Sequence, residues 1–191
     1  PASDTDRLIY QRVLEEFGTD NKTIVYVRDP GLWSPEKLAD LERLHLAIEK
    51  INGVSRVDSL FTLHTVSRVD GTMESGPVIG RLPRTAEEAL TLKLRALGNP
   101  LYAGEFYSTD GAVMAMTASV ADAGMEANGE GRVYREIQNL LDARGAAYED
   151  IFQIGTPRLY AEFRDNLLGD FMLLGPLSAA VLLLAILFFV R

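Results

Sequence analysis

The sequence predicts an α+β domain that runs into a transmembrane helix. Three observations carry that prediction: strand-like segments alternate with segments of helical periodicity, two helices bring their own capping residues, and the chain closes on an uncharged apolar run. The run, Phe171 to Val190, reads FMLLGPLSAAVLLLAILFFV, twenty residues whose one polar side chain is Ser178. At about 1.5 Å of rise per residue such a helix matches the roughly 30 Å hydrocarbon core of a bilayer, whereas core helices of soluble domains have shorter apolar runs. A secretory signal would lie at the opposite end of a chain.

From Asp4 to Phe17, Ile9, Val13 and Phe17 recur at a spacing of four beside Tyr10 and Leu14, with Gly18 behind them, which predicts an amphipathic helix. The chain opens at Pro1 with neither an initiator methionine nor a targeting sequence, so it is expected to begin inside a longer polypeptide. Thr23 to Arg28, TIVYVR, is rich in β-branched and aromatic residues and bounded by turn formers, and it predicts a buried strand. Ser34 then offers an N-cap with Pro35 at the first helical position. Leu38, Leu41, Leu44, Ile48 and Ile51 form the apolar stripe, and Asn52-Gly53 supplies the stop. Val54 to Leu60 predicts a second strand. The strand, helix, strand order predicts a βαβ unit with parallel strands and a right-handed crossover.

No clean period runs from Phe61 to Pro83, where Gly71, Gly76, Pro77, Gly80 and Pro83 predict a loop or arm. Thr85 with Glu88 three residues on is a capping box, opening a helix that ends at Gly98-Asn99-Pro100. Glu105 to Ser108 and Ala112 to Val120 flank Thr109-Asp110-Gly111 and predict a β-hairpin. Val133, Ile137, Leu140 and Leu141 predict a helix to about Arg144, and Ile151 to Ile154 a last strand. Leu159, Phe163, Leu167 and Phe171, again at a spacing of four, carry a linking helix into the apolar run, where Gly175-Pro176 predicts a kink.

Together these elements predict ferredoxin-like βαβ units with helices on one sheet face, with one strand more than that fold needs. The expected organisation is a domain over residues 1–156 with an insertion at about 61–100, then a linking helix and membrane span over 157–191.

Composition narrows the function. Residues 1–170 hold all 27 acidic residues and 18 of the 19 basic ones, so nucleic acid, which needs a clustered basic face, is not an expected partner. Absent cysteine removes disulfides, thiol catalysis and thiolate metal sites. His45, beside the apolar stripe, and His64, in the following loop, have no third ligand at a metal spacing. Met114 and Met116 alternate onto one strand face and, with Met125, fit core packing better than thioether ligation. No nucleophile elbow or assembled triad is present, so no catalytic residue, cofactor or metal is expected, and the chain is not expected to be an enzyme. Glu87-Glu88 and the stretch from Asp122 to Glu130 are expected to be solvated surface. The arm from Thr62 to Pro83 is the candidate for substrate or subunit contact, through Val66, Val69, Met73, Val78, Ile79 and Leu82, because long loops carry function.

Several of these pieces stand in a known order. Phe17-Gly18, a short strand, Ser34-Pro35-Glu36 opening a helix, and Ile51-Asn52-Gly53-Val54 before Val57 and Ser59-Leu60 come first. Ser108-Thr109-Asp110-Gly111, Ile154-Gly155-Thr156-Pro157, Asp170 and the Leu-rich run with Pro176 and Phe189-Val190-Arg191 follow. The whole resembles the first periplasmic porter domain of a half-transporter among RND-superfamily exporters, in the MMPL and hopanoid-transporter-like branch. The long segment from Phe61 to Asn99 departs from that pattern. The resemblance implies an RND porter-type sandwich in a proton-driven exporter of hydrophobic or amphiphilic, lipid-like substrates. It would sit in the bacterial inner membrane with the domain in the periplasm, its partners being the lipid bilayer, the substrate, the rest of the transporter and other subunits. The alternative is a membrane-anchored extracytoplasmic sensor or binding domain of a signalling or envelope-assembly protein. The family's proton relay would lie elsewhere, since the run from Phe171 to Val190 holds no ionisable side chain.

Overall fold

The computed structural model describes residues 21–69, 72–99, 101–121 and 129–156, together with Leu167 and a set of positions between 171 and 189. In chain order the elements are β1 (Lys22–Arg28), α1 (Pro35–Glu49), β2 (Val54–Asp58), β3 (His64–Val69), β4 (Thr72–Pro77), α2 (Ala86–Leu97), β5 (Val113–Val120), α3 (Gly129–Asp142), a 3-10 turn (Gly145–Ala147) and β6 (Asp150–Gly155). The architecture is α+β. The expected first helix at 4–17, most of the acidic stretch after Asp122 and most of the linking helix after Pro157 lie outside the described residues.

The helices start where the sequence places their caps. Ser34 is extended at φ −69° and ψ 151°, its hydroxyl accepts the Lys37 N–H at 3.3 Å, and Pro35 follows at the first helical position. Leu38, Leu41, Leu44 and Ile48 are fully buried, and the chain turns away at Gly53, whose φ of 101° suits glycine. At α2 the Thr85 hydroxyl accepts the Glu88 N–H at 3.2 Å, while the Glu88 carboxylate accepts the N–H of Arg84 at 2.6 Å. The reciprocal half of the capping box is thus displaced by one residue from its usual target at the cap itself.

β2, β5, β1 and β6 form one sheet in that order, every neighbouring pair antiparallel. β1 and β2 therefore run in the same direction, as the strand–helix–strand order predicts, but β5 is inserted between them. The expected parallel pair is split. One face carries Val25, Val27, Met114, Met116, Ala118 and Val57, all buried under α1 and α3. Met114 and Met116 are core residues, as expected. α3 contributes Val133, Ile137 and Leu141 to the same core.

Two expectations are corrected. Residues 61–83 are not an unstructured arm: β3 and β4 pair in register from His64 with Pro77 to Val69 with Thr72, forming a two-stranded sheet of their own. Just two residues, Asp70 and Gly71, separate the strands, and Asp-Gly between β-rich runs is a strong hairpin signal. The other correction concerns Glu105 to Ser108, which make no strand. Tyr107 touches Met114 through an isolated bridge, with the Ala115 N–H on the Phe106 carbonyl at 2.9 Å and the Ser108 N–H on the Val113 carbonyl at 3.1 Å. β2 is five residues long and pairs with Thr117 to Val120 of β5, so this short segment covers the edge of β5 that β2 does not reach. That removes the surplus strand.

The described positions between 171 and 189 are helical, and their large side chains are exposed, Phe171, Met172, Phe188 and Phe189 at 77%, 80%, 82% and 84%. Among the described residues no helix is long and apolar enough to cross a membrane.

Gly155 closes β6 opposite Thr23 at a φ of 150°, and a Cβ there would lie 2.3 Å from the Lys22 carbonyl oxygen and 2.8 Å from the Thr23 Cα. Both obstacles are backbone, so neither can swing aside. Gly155→Ala is expected to destabilise the domain by about 3 kcal/mol or more, from backbone strain plus overpacking. Thermal unfolding followed by circular dichroism checks this; an unchanged melting temperature would show that the ladder gives way at no cost.

Candidate functional site

Among the described residues no helix packs on the second face of the four-stranded sheet, and the side chains of that face follow from the β1 register. Thr117, Ile24 and Ile154 form one row across β5, β1 and β6; Ala115, Tyr26 and Phe152 form the next; Val113, Arg28 and Asp150 form the third. Ile24, Phe152 and Ile154 are exposed although they are large and apolar. Tyr26 and Phe152 stack at 4.8 Å between ring centroids. Polarity thus changes along the strands, from aliphatic at the Ile24 row through aromatic to charged at the Arg28 row.

A groove of about 680 Å³ lies on this face. Ile24, Tyr26, Phe106, Val113 and Ala115 supply its apolar lining, and Arg28, Glu105, Asp110 and Glu149 its charged lining. The segment from Gly104 to Ala112 lines the rest, and hydrogen bonds fix it. The Trp33 indole N–H donates to the Gly111 carbonyl at 2.9 Å, and the Val113 N–H donates to the Ser108 hydroxyl at 2.9 Å. Gly111 has φ of 73°, and a Cβ there would meet Lys93 and the Trp33 indole at under 3 Å. The Tyr107 hydroxyl, directed at the Ala96 and Asn99 carbonyls at 2.6 and 2.7 Å, ties the same segment to the end of α2.

The charges are locally organised. The Ser108 hydroxyl and the Ala112 N–H hold the Asp110 carboxyl below the usual carboxylate range, with Lys93 adding a smaller attraction. Arg28 is held more firmly protonated than a free guanidinium, first by the Tyr26 hydroxyl and then by Glu149 and Asp150. Behind the groove, burial works against the charge of Asp29, yet the Lys37 ammonium at 2.6 Å and the Gly31 N–H keep its carboxyl below the ordinary range. Lys37 also bonds the Ala147 carbonyl and sits 4.5 Å from the Tyr148 ring centre. These contacts fasten the 3-10 turn before Glu149 to the start of α1.

None of the residues expected to make substrate or subunit contact lines this groove. Val78 and Ile79 are buried in the core, and Leu82 is packed against it. Val66 and Val69 lie on β3 and Met73 on β4, with side chains outside the described set. Ile24 and Tyr26 share the parity of Arg28, but TIVYVR is apolar at both parities up to Tyr26, so the sequence does not mark this face as a groove.

His45 is buried, with Nδ1 3.1 Å from the Ser59 hydroxyl, and His64 is exposed at the start of β3. Ser59 is buried as well, so this serine–histidine pair is closed to any substrate and has a structural role. Among the described residues no three His, Asp or Glu side chains gather to hold a metal ion. The site offers binding chemistry, apolar contact and charge. No family model matches the chain, and no curated protein matches it.

Burial lowers the pKa of His45 more than Glu49, Glu42 and Asp58 raise it. The unfolded chain takes up this proton as pH falls below about 6.5, while the folded chain resists it, so His45 stabilises the fold fully above that pH and its contribution is lost as pH falls toward the folded value. Thermal unfolding of the parent and His45→Asn chains between pH 7 and pH 5 is expected to show a steeper loss in the parent. Parallel curves would exclude His45 as the titrating group.

Proposed function

We propose that the chain is the extracytoplasmic porter domain of an RND-type, proton-driven exporter of hydrophobic or lipid-like substrates, held in the bacterial inner membrane by a helix through residues 171–190. The observation that carries this reading is the set of large apolar side chains between 171 and 189 that stand exposed, Phe171, Met172, Phe188 and Phe189 the most. In water each would cost the transfer free energy of its area, about 25 cal/mol per Å², whereas in lipid that cost vanishes. The fold supports the same reading. Two β–α–β segments, β1–α1–β2 and β5–α3–β6, interleave in the order β2-β5-β1-β6. A ferredoxin-like split βαβ arrangement, which the porter reading expects, has strands in this order, and that supports the reading.

The open face supplies what such a domain needs for a hydrophobic cargo: an apolar surface of pocket size beside fixed polar groups. The energy-coupling residues would belong to other parts of the transporter, because the apolar run from Phe171 to Val190 holds no ionisable side chain.

Ala115 sits at the middle row of the face, away from the core, so a larger side chain there fills the groove without entering the packed side. In membranes carrying the whole exporter, Ala115→Phe is expected to cut efflux of a hydrophobic dye at least about tenfold with unchanged protein level, the scale of one lost close-packed subsite. Undiminished efflux would remove the face from the transport path and favour an anchored sensor or binding domain.

A further inference from the structure

We propose that the groove on the open face takes a cation-bearing amphiphile, with its apolar chain along Ile24, Tyr26 and Phe106 and its positive head beside Glu105, Asp110 and Glu149. The inference rests on the exporter reading and narrows the substrate class.

Size comes first. The groove measures about 680 Å³, within the roughly 300–1,000 Å³ of sites for small ligands, and too small for a packed helix with its side chains. A single chain with a compact head fits that space.

The order of polarity then fixes the orientation. Along β1 the outward residues are Ile24, Tyr26 and Arg28, and their β6 partners are Ile154, Phe152 and Asp150. An amphiphile lying along the strands therefore meets aliphatic side chains at one end and charged ones at the other. The stacked Tyr26 and Phe152 rings stand between the two ends, where their faces suit either a methylene chain or a quaternary ammonium.

The sign of the head follows from the lining charges. Three carboxylates, Glu105, Asp110 and Glu149, stand against the guanidinium of Arg28. Arg28, held firmly protonated by Tyr26, Glu149 and Asp150, offsets only one of these three carboxylates, so the lining stays net negative. An anionic head would add to the local excess of negative charge; a cationic head offsets it. The whole chain carries a net charge of −8, so the long-range field favours the same sign.

The test uses the full chain in phosphatidylcholine nanodiscs with three probes that share an eight-carbon tail: octyltrimethylammonium, octyl sulfate and octyl glucoside, each below its micelle concentration. Trp33, the one tryptophan of the chain, reports on the site because its indole N–H holds the carbonyl of Gly111, between the lining residues Asp110 and Ala112. Saturable quenching or enhancement is expected for the ammonium probe, with a dissociation constant about tenfold below that of the sulfate, the ratio expected of a few screened charge pairs. Glu105→Gln with Glu149→Gln should erase that ratio, and Ala115→Phe should remove the saturable signal for all three. Equal affinity for the sulfate, or a ratio that survives loss of both carboxylates, overturns the proposal. If sulfate or glucoside binds as tightly as the ammonium probe and Ala115→Phe removes that binding, the cation assignment falls while the exporter reading stands. If no probe moves the Trp33 signal and Ala115→Phe leaves efflux intact, both fall.

Discussion

Seven residues of β1 pair with seven of β5, from Lys22 with Ser119 to Arg28 with Val113, and because side chains alternate along a strand this register decides which residues meet helices and which meet solvent. Val25 and Val27 go inward with Met116 and Met114; Ile24, Tyr26 and Arg28 go outward. A slip of one residue would bury Arg28 and expose both valines. The same ladder separates β1 from β2, so α1 has to cross over β5 to join them, and its stripe from Leu38 to Ile48 closes the core on that side. β6 then pairs with the remaining edge of β1 and inherits the parity, placing Phe152 and Ile154 outward and Gln153 inward.

Buried polar groups tie the layers together where apolar contact alone would permit sliding. Gln153 is fully buried, and its amide donates to the Tyr134 carbonyl at 2.9 Å and to the Gln138 side chain at 3.0 Å, which locks β6 to α3. Removing it would leave buried partners unmet, a loss of about 1–3 kcal/mol that exceeds the net worth of an ordinary hydrogen bond. At the other end of the sheet the Tyr148 hydroxyl donates to Asp40 at 2.9 Å, and burial together with that bond raises the phenol pKa well above its usual range. Asp40 also takes Arg144 at 3.4 Å, so α1, the end of α3 and the turn before β6 share one ionic junction. Partly exposed pairs of this kind contribute about 0–1 kcal/mol each. Their effect is positional: they set where Glu149 and Asp150 stand beside the groove.

Local signals in the sequence are enough for the helices, because Ser34-Pro35, Thr85 with Glu88, and the stripes behind them act within a few residues of chain. The β3–β4 hairpin was equally local, and it was obscured by glycines and prolines at Gly76, Pro77 and Gly80 that made Asp70-Gly71 look like one more loop signal. Strand order depends on pairings between distant residues, such as Asp58 with Thr117 and Ile24 with Thr117 and Ile154, and no short pattern encodes them. The groove shares that difficulty, since its lining comes from β1, the segment around Phe106 to Ala115, and Glu149. TIVYVR is apolar at both parities up to Tyr26, so it resembles a strand covered on both sides, and only the sheet shows that one side is open.

β1 begins and β6 ends side by side, Thr23 paired with Gly155, so the chain enters and leaves this sheet at one place. The apolar end of the open face, at Ile24 and Ile154, lies at that place, and the charged end lies at the far side of the strands. On the exporter reading, displacement of the segment after Gly155 reaches the domain first through β6, an edge strand with a single ladder to β1. A pull along the strand loads every bond of that ladder together, whereas a sideways pull opens them one at a time, so β6 resists the first far better than the second. Glu149, in the turn before β6, lines the groove, while Phe106, Val113 and Ala115 line it from β5 and the segment before it. A sideways shift of β6 would therefore move the turn that carries Glu149, and with it one charged side of the groove. The contact of Gly155 with the Lys22 carbonyl and the anchoring of Gln153 under α3 limit how far that shift can go without breaking the fold.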